Sequence, residues 1–540
     1  MQAVRRVAAV LTYPLIAYLG VACERIDTPT KPPPPPAALQ LSDPTTTRWV
    51  NDDGLAVPPG TSCNNPGYTT VQAAVDAAGP GDRINVCPGT YIEQVTIPTS
   101  GPGSAKDNIQ LRSVGHWQAV IRAPTPMVGT YATKAIVRVN GAHGVTILAF
   151  TITGPSGVVC GGNISYGVRV DNGGSANILG NHITQIRDPD VDGERCGTQN
   201  GMGVVVGGHF NDGVFSNGSA RIEGNLVDNY QKNGIVVGGL GSSAVIAANR
   251  VFGSGPQLII AQNGIEVLQD ATAEVKHNFV SSHIFTPQTA SPTGVLLAFA
   301  GSVDLHHNTV ARNDVDVFTE FSSATSSLTH NRTRASTFDG IVVDLSDNIT
   351  LGDNHTEQNG GPGIGLYDGA AGNTLDGNQI ERNSNNFSSA TDFGGGILLD
   401  DASSNTVRDN HMRKNGTLNG FDNTDGIRVN PPSTGNTIQG NHLRDNVTHD
   451  CHDASAGNSW ADNHGGTSFP PTAALCDPDP QDAFVVEAGW DPSYPWYSVY
   501  DGLATDYDWP SLYSAIDAQI QDLLDLLPQI GVGSVRRPSP

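Results

Sequence analysis

Gly377-Asn378-Gln379-Ile380, Asp409-Asn410-His411-Met412 and Gly440-Asn441-His442-Leu443 are one phrase written three times. Earlier copies read Gly180-Asn181-His182-Ile183 and His307-Asn308-Thr309-Val310. A second phrase, Gly-Ile-x-Val/Leu, falls between them, at Gly234-Ile235, Gly264-Ile265, Gly340-Ile341, Gly396-Ile397 and Gly426-Ile427. Asn308, Asn331, Asn354 and Asn378 are 23, 23 and 24 residues apart. A fixed phrase at a near-fixed period is a repeat architecture, with longer intervals being the same unit carrying loops.

Each phrase alternates apolar and polar residues, so its segments are short strands with one buried face. Between Asn308 and Asn463 no 3.6-residue apolar period appears, which excludes helical solenoids. Leucine is too scarce for a leucine-rich repeat, and the nine-residue period of a calcium roll is absent. The expectation is an all-β fold, a single-stranded right-handed parallel β-helix, with corner asparagines stacked as a ladder. Glycine before each strand is expected to supply positive φ at the corner. Aromatics make up only 6% of the chain, which suits a narrow aliphatic core.

Val71-Gln72-Ala73-Ala74-Val75-Asp76-Ala77-Ala78 predicts a short amphipathic helix with Thr69 or Thr70 as N-cap, a lid on the open N-terminal coil. Asn51-Asp52-Asp53-Gly54, Thr70-Val71-Gln72-Ala73-Ala74-Val75 and Pro80-Gly81-Asp82-Arg83-Ile84-Asn85-Val86-Cys87-Pro88-Gly89-Thr90-Tyr91 together resemble the opening of the right-handed β-helix, pectin-lyase-like superfamily. The resemblance spans roughly 49–465. It implies the fold and leaves the activity open, because the superfamily includes lyases, hydrolases, epimerases, adhesins and copper-maturation proteins.

Arg5-Arg6 followed by the apolar run Val7 to Ala22 reads as a signal peptide over 1–22. Cys23 then stands where a lipidation cysteine would, with ordinary cleavage after Ala22 as the alternative. Residues 23–48 form a Pro-rich tether, Pro29 and Pro32 to Pro36 favouring polyproline II. The expectation is an exported monomer, lipid-anchored to the cell envelope, with plain secretion as the alternative. Seven cysteines less Cys23 leave six, which allow fifteen connectivities. Neighbour pairing, Cys63–Cys87, Cys160–Cys196 and Cys451–Cys476, is the simplest; no Cys-x-x-Cys occurs to favour zinc. Residues 466–540 read as a C-terminal extension, with Leu512, Ile516, Ile520, Leu523, Leu524 and Leu527 on one face of a helix near 511–527. That helix is a second lid, or else a surface for a partner or membrane.

With 29 basic and 53 acidic residues the net charge is −24, which argues against a nucleic-acid partner. Outward residues of stacked coils form columns spaced about 4.8 Å. One column is Asp344, Tyr367, Asp400 and Asn430, edged by Asp368 and Asp401, with Asp425 and Arg428 from the next coil. Acids beside a ring suit a sugar chain, and Asp344 and Asp400 would lie about 9.6 Å apart, near the upper limit for an inverting glycosidase pair. Asn423-Thr424-Asp425-Gly426 resembles a polygalacturonase motif, but the Asp400-Asp401 pair lies one coil early, and that family's Gly-His-Gly and Arg-Ile-Lys elements are missing. A second column holds Gln379, His411, His442 and His464, with Glu381, Arg413 and Arg444 two residues on. Histidine as base and arginine as enolate stabiliser would serve a uronate lyase; stacked histidines could also take copper. Asp188, Asp190 and Asp192 before Gly193 resemble half a calcium loop. The function expected is a cell-envelope protein that binds a polysaccharide along its side and processes it as a lyase or hydrolase. The alternative is a non-catalytic adhesin, scaffold or copper-maturation relative.

Overall fold

The computed structural model describes residues 44–53, 56–99, 106–209, 216–384, 394–416 and 424–478. The signal peptide, Cys23, most of the tether and the 511–527 helix lie outside them.

Three strands make each coil, and each strand hydrogen-bonds to its counterparts one coil before and after. The result is a right-handed parallel β-helix of three sheets with 15, 13 and 14 strands among the described residues. The first sheet runs from Thr47–Val50 to Ser459–Ala461, the second from Gly89–Ile92 to His442–Arg444, the third from Val95–Pro98 to Ser468–Phe469. Inward residues of all three build one continuous core, for example Ile341, Val343, Leu351 and Ile380. The third sheet is also buried on its outer face, where Tyr166, Met202, Val205, Val236 and Leu268 form one cluster and Val315, Phe318, Val342, Tyr367 and Leu398 another.

The asparagine ladder follows the phrase that marked it. At each step the side-chain oxygen accepts from the backbone and side-chain nitrogens of the previous asparagine, as between Asn354 and Asn378 at 3.0 and 2.9 Å. The series continues from Asn181 through Asn225, Asn249, Asn278, Asn308 and Asn331 to Asn410, Asn441 and Asn463. Two further ladders stack at other corners, Asn359–Asn383–Asn415–Asn446 and Asn373–Asn405–Asn436–Asn458.

The glycine expectation needs correction. Gly264, Gly340 and Gly426 of the Gly-Ile phrase do not have positive φ. A Cβ at Gly264 would stand 2.4 Å from Val280 Cγ1 and 2.5 Å from the Gly294 oxygen, so the residue is small to let coils stack. Left-handed backbone falls instead just before the ladder asparagine, at His307, His330, Asp353 and Gly377.

Helix α1 (Val71–Ala77) takes Thr70 as N-cap, whose side chain accepts from Ala73 N, and buries Val71, Ala74 and Val75. Glu93 accepts from Val71 N and Gln72 N at 2.8 Å each, satisfying two more helix donors. The three disulfides are Cys63–Cys87, Cys160–Cys196 and Cys451–Cys476.

Candidate functional site

The C-terminal coils of the third sheet gather the chemistry. Register places Glu320, Asp344, Tyr367, Asp400 and Asn430 in one column, as the spacing predicts. Their environment differs from the expected solvated face. Asp344 is buried, and burial with Asp368 nearby pushes its carboxyl up to about 6. Burial raises Glu320 to about 7, aided by Asp344. Tyr367 offers no ring face for a sugar: it is buried, its ring lies over Gly365, and its hydroxyl donates to Asp339 Oδ2 at 2.6 Å. Asp339 is itself pushed up to about 7 by burial, against that hydrogen bond.

These shifts have a sign that can be tested. Carboxyls with raised folded-state values hold their protons more tightly when folded. Their contribution is complete below the ordinary carboxylate range near 4 and is lost as pH rises through about 7. Asp339→Asn should therefore remove one source of falling stability, so that between about pH 5 and 8 the variant's unfolding midpoint falls less, or rises more, than the wild type's. An identical pH dependence of Tm in wild type and Asp339→Asn contradicts the assignment.

Beside this column Asp425 is completely buried and carries three partners. Arg428 Nη1 donates to its Oδ2 at 2.8 Å, His449 Nδ1 meets Oδ1 at 3.0 Å, and His452 Nδ1 lies 3.1 Å from Oδ2. Burial alone would raise the Asp425 carboxyl, but His452, Arg428 and His449 hold it below its ordinary value. Arg428 Nε also donates to Asn430 Oδ1 at 2.8 Å, and Asn430 stands opposite Asp400, whose carboxyl is raised by burial. One polar network thus runs across two coils from Asn430 through Arg428 and Asp425 to His449 and His452.

Local sequence explains the convergence. Asp425 and Arg428 flank the Gly426-Ile427 phrase, and the next coil sets His449 opposite Asp425 and His452 opposite Arg428 by register. Phe469 closes the end, its ring 4.5 Å from that of His452 and 5.4 Å from that of His449. His449 keeps about a quarter of its side chain exposed. Its Nδ1 is engaged by Asp425, so with Nδ1 protonated the basic lone pair sits on Nε2. At the corner following the column, Phe299 and Phe321 are exposed and parallel, with centroids 4.8 Å apart, and Leu345 continues the apolar rim.

The remaining sequence candidates are placed as follows. Asp401 is an exposed turn residue with φ 56° at the edge of the column. Asp400 and Asp425 stand in columns five residues apart along the strand, roughly 15 Å, which is too wide for a glycosidase pair. His411, Arg413, His442 and Arg444 stack in register as expected, but on the second sheet, apart from Asp425. His411 and His442 are stacked with centroids 5.1 Å apart; Arg413 is paired with Glu381 and Arg444 lies beside Asp445.

The calcium-loop residues do not share a site. Asp188 spends its carboxylate on the backbone nitrogens of Gly161, Gly162 and Asn163, Asp190 pairs with Arg187 and Arg195, and Asp192 is an exposed turn residue. Sets with metal-ligand proximity among the described residues are Asp425/His449/His452, Glu274/Asp304/His306, His355/Glu357/Glu381 and Cys160/Asp188/Cys196, the last with both cysteines in a disulfide. In the first, Arg428 already holds Asp425, and a second cation there would face its charge.

A family profile described as Right handed beta helix region matches residues 212–387 and 317–466. No curated protein matches the sequence. Among solved structures, DFA-IIIase from Arthrobacter chlorophenolicus A6 in complex with GF2 is 18% identical over 66% of this chain and 83% of its own, with a TM-score of 0.41. The A-module of the Azotobacter vinelandii mannuronan C-5 epimerase AlgE6 is 16% identical over 74% and 94%, with a TM-score of 0.33. The Dettilon tailspike protein is 14% identical over 73% and 65%, with a TM-score of 0.44. The family profile and the three stacked parallel sheets agree on a right-handed β-helix.

Proposed function

We propose that this protein binds a polysaccharide along the C-terminal coils of its third sheet and cleaves it there by elimination at a uronic acid. The observation that carries the reading is the Asp425–His449 pair beside Arg428, with acid and cation converging within two coils. Asp425 orients the His449 ring and stabilises its protonated form, so that Nε2 can take the proton from C5 of the uronate. The C5–H electrons form the C4–C5 double bond, and the O4 leaving group departs with the electron pair of the broken C4–O4 bond. The Arg428 guanidinium supplies positive charge where the enolate develops. The departing O4 takes up the proton that His449 Nε2 has received. The apolar rim of Phe299, Phe321 and Leu345 offers a surface for sugar C–H faces upstream along the axis.

A binding-only reading draws on the burial of Asp344 and Tyr367, which behave as parts of the fold. The two are separated by incubating the full-length protein with uronate-containing and neutral polysaccharides. Ultraviolet-absorbing unsaturated ends, lost in His449→Ala, support elimination. New reducing ends without that absorbance indicate hydrolysis and overturn it; no product with retained binding leaves the binding module.

A further inference from the structure

A second histidine group lies on a different side of the solenoid, at the corner between the first and second sheets. Lys276-His277, His306-His307 and Thr329-His330 occupy the same place in three successive coils, each just before a ladder asparagine. Neighbouring residues of a strand normally point to opposite sides. His307 has φ 55°, and this left-handed turn swings its ring back toward its neighbour's. His306 Nδ1 and His307 Nδ1 come to 2.9 Å. On its other edge His306 Nε2 lies 3.4 Å from Glu274 Oε1, and Glu274 is held in turn by Lys276 Nζ at 2.7 Å. The His277 ring packs 5.2 Å from that of His307, and the His330 ring lies parallel to His307 at 4.9 Å.

We infer that His306 and His307 chelate a divalent late first-row transition-metal ion through their two Nδ1 atoms. Three features of the geometry carry this. Two nitrogens bound at about 2.0–2.1 Å with a right angle between them are about 2.9 Å apart, the edge of a square-planar or octahedral site. The observed separation matches that edge. The Glu274 carboxylate accepts the Nε2 proton of His306, which leaves the lone pair on Nδ1; this carboxylate–histidine arrangement is the usual support for a metal-binding imidazole. Lastly, His307 is exposed and His306 half-buried, so an ion and its remaining water ligands can reach the pair. Nitrogen donors at this angle favour Ni2+ or Cu2+ over the oxygen-seeking Ca2+ and Mg2+. The inference is independent of the polysaccharide reading, since the two sites lie on different sheets.

Calorimetric titration of the chelator-treated full-length protein with Ni2+ tests it. One saturable equivalent is expected, with affinity at least tenfold weaker in His306→Ala/His307→Ala. Glu274→Ala should weaken binding about 10–100-fold while leaving both ligands in place. Substituting the other histidine stack, His411→Ala/His442→Ala, should leave this equivalent unchanged. Circular dichroism confirms that each variant is folded. Absence of saturable Ni2+ binding, binding that survives the His306/His307 substitutions, or binding lost in the His411/His442 variant overturns the assignment.

Discussion

Asn378→Ala should cost about 3–5 kcal/mol of stability, measured as a lowered denaturant midpoint of the full-length protein. Asn378 Oδ1 accepts from Asn354 N and Nδ2 at 3.0 and 2.9 Å. Its own N and Nδ2 donate to Asn410 Oδ1 at 2.9 and 2.8 Å, and Nδ2 also reaches the Leu351 oxygen at 2.9 Å. Truncation leaves the Asn354 amide donors and the Leu351 oxygen without this partner inside a buried column. Each orphaned buried group costs about 1–3 kcal/mol, partly recovered by relaxation. The adjacent Gln379→Ala, at a half-buried position outside the ladder, serves as control and should change stability by about 0.5 kcal/mol or less. Equal effects at the two positions would mean that the ladder does not stabilise the stack.

The second large effect is at Arg428. Arg428→Ala should reduce glycan turnover at least 100-fold, and Arg428→Lys should fail to restore it. The guanidinium bridges two acceptors, Asp425 Oδ2 through Nη1 and Asn430 Oδ1 through Nε, and an ammonium point charge cannot span both in that planar fork. Removing it takes a hydrogen-bonded cation from a fully buried carboxylate, which raises the Asp425 carboxyl. The pH–rate profile should shift in the variant, whereas a purely structural role would lower the amount of active protein and leave the profile in place. Full activity of Arg428→Lys would contradict the bridging role.

Much of the architecture could be read from residue spacing because a solenoid converts distance along the chain into height along an axis. The Asn308–Asn331–Asn354–Asn378 interval announced the coil, and the column through Asp344, Tyr367, Asp400 and Asn430 followed by counting. Period alone does not tell which side of a strand is covered. Tyr367 therefore looked like an exposed platform, although Gly365 leaves room for its ring to fold down onto the sheet. Asp425 and Arg428 were legible from the Gly426-Ile427 phrase, but their histidine partners were not. In the last coil Asp450-Cys451 stands where Gly426-Ile427 stands in the coil before, so the phrase is erased. The signal that remained was Cys451 filling an isoleucine's place in the core, which would have set His449 and His452 beside Asp425 and Arg428. The second histidine group escaped for another reason: His306 and His307 are neighbours in sequence, and only the left-handed turn at His307 makes them neighbours in space.

The most direct test is a crystal structure of the His449→Ala protein soaked with an acidic oligosaccharide that the wild-type chain binds. Sugar density against Arg428 and Asp400 on the third sheet, running toward Phe321, is the expected result. Density confined to the His411–His442 stack on the second sheet would contradict the proposed site.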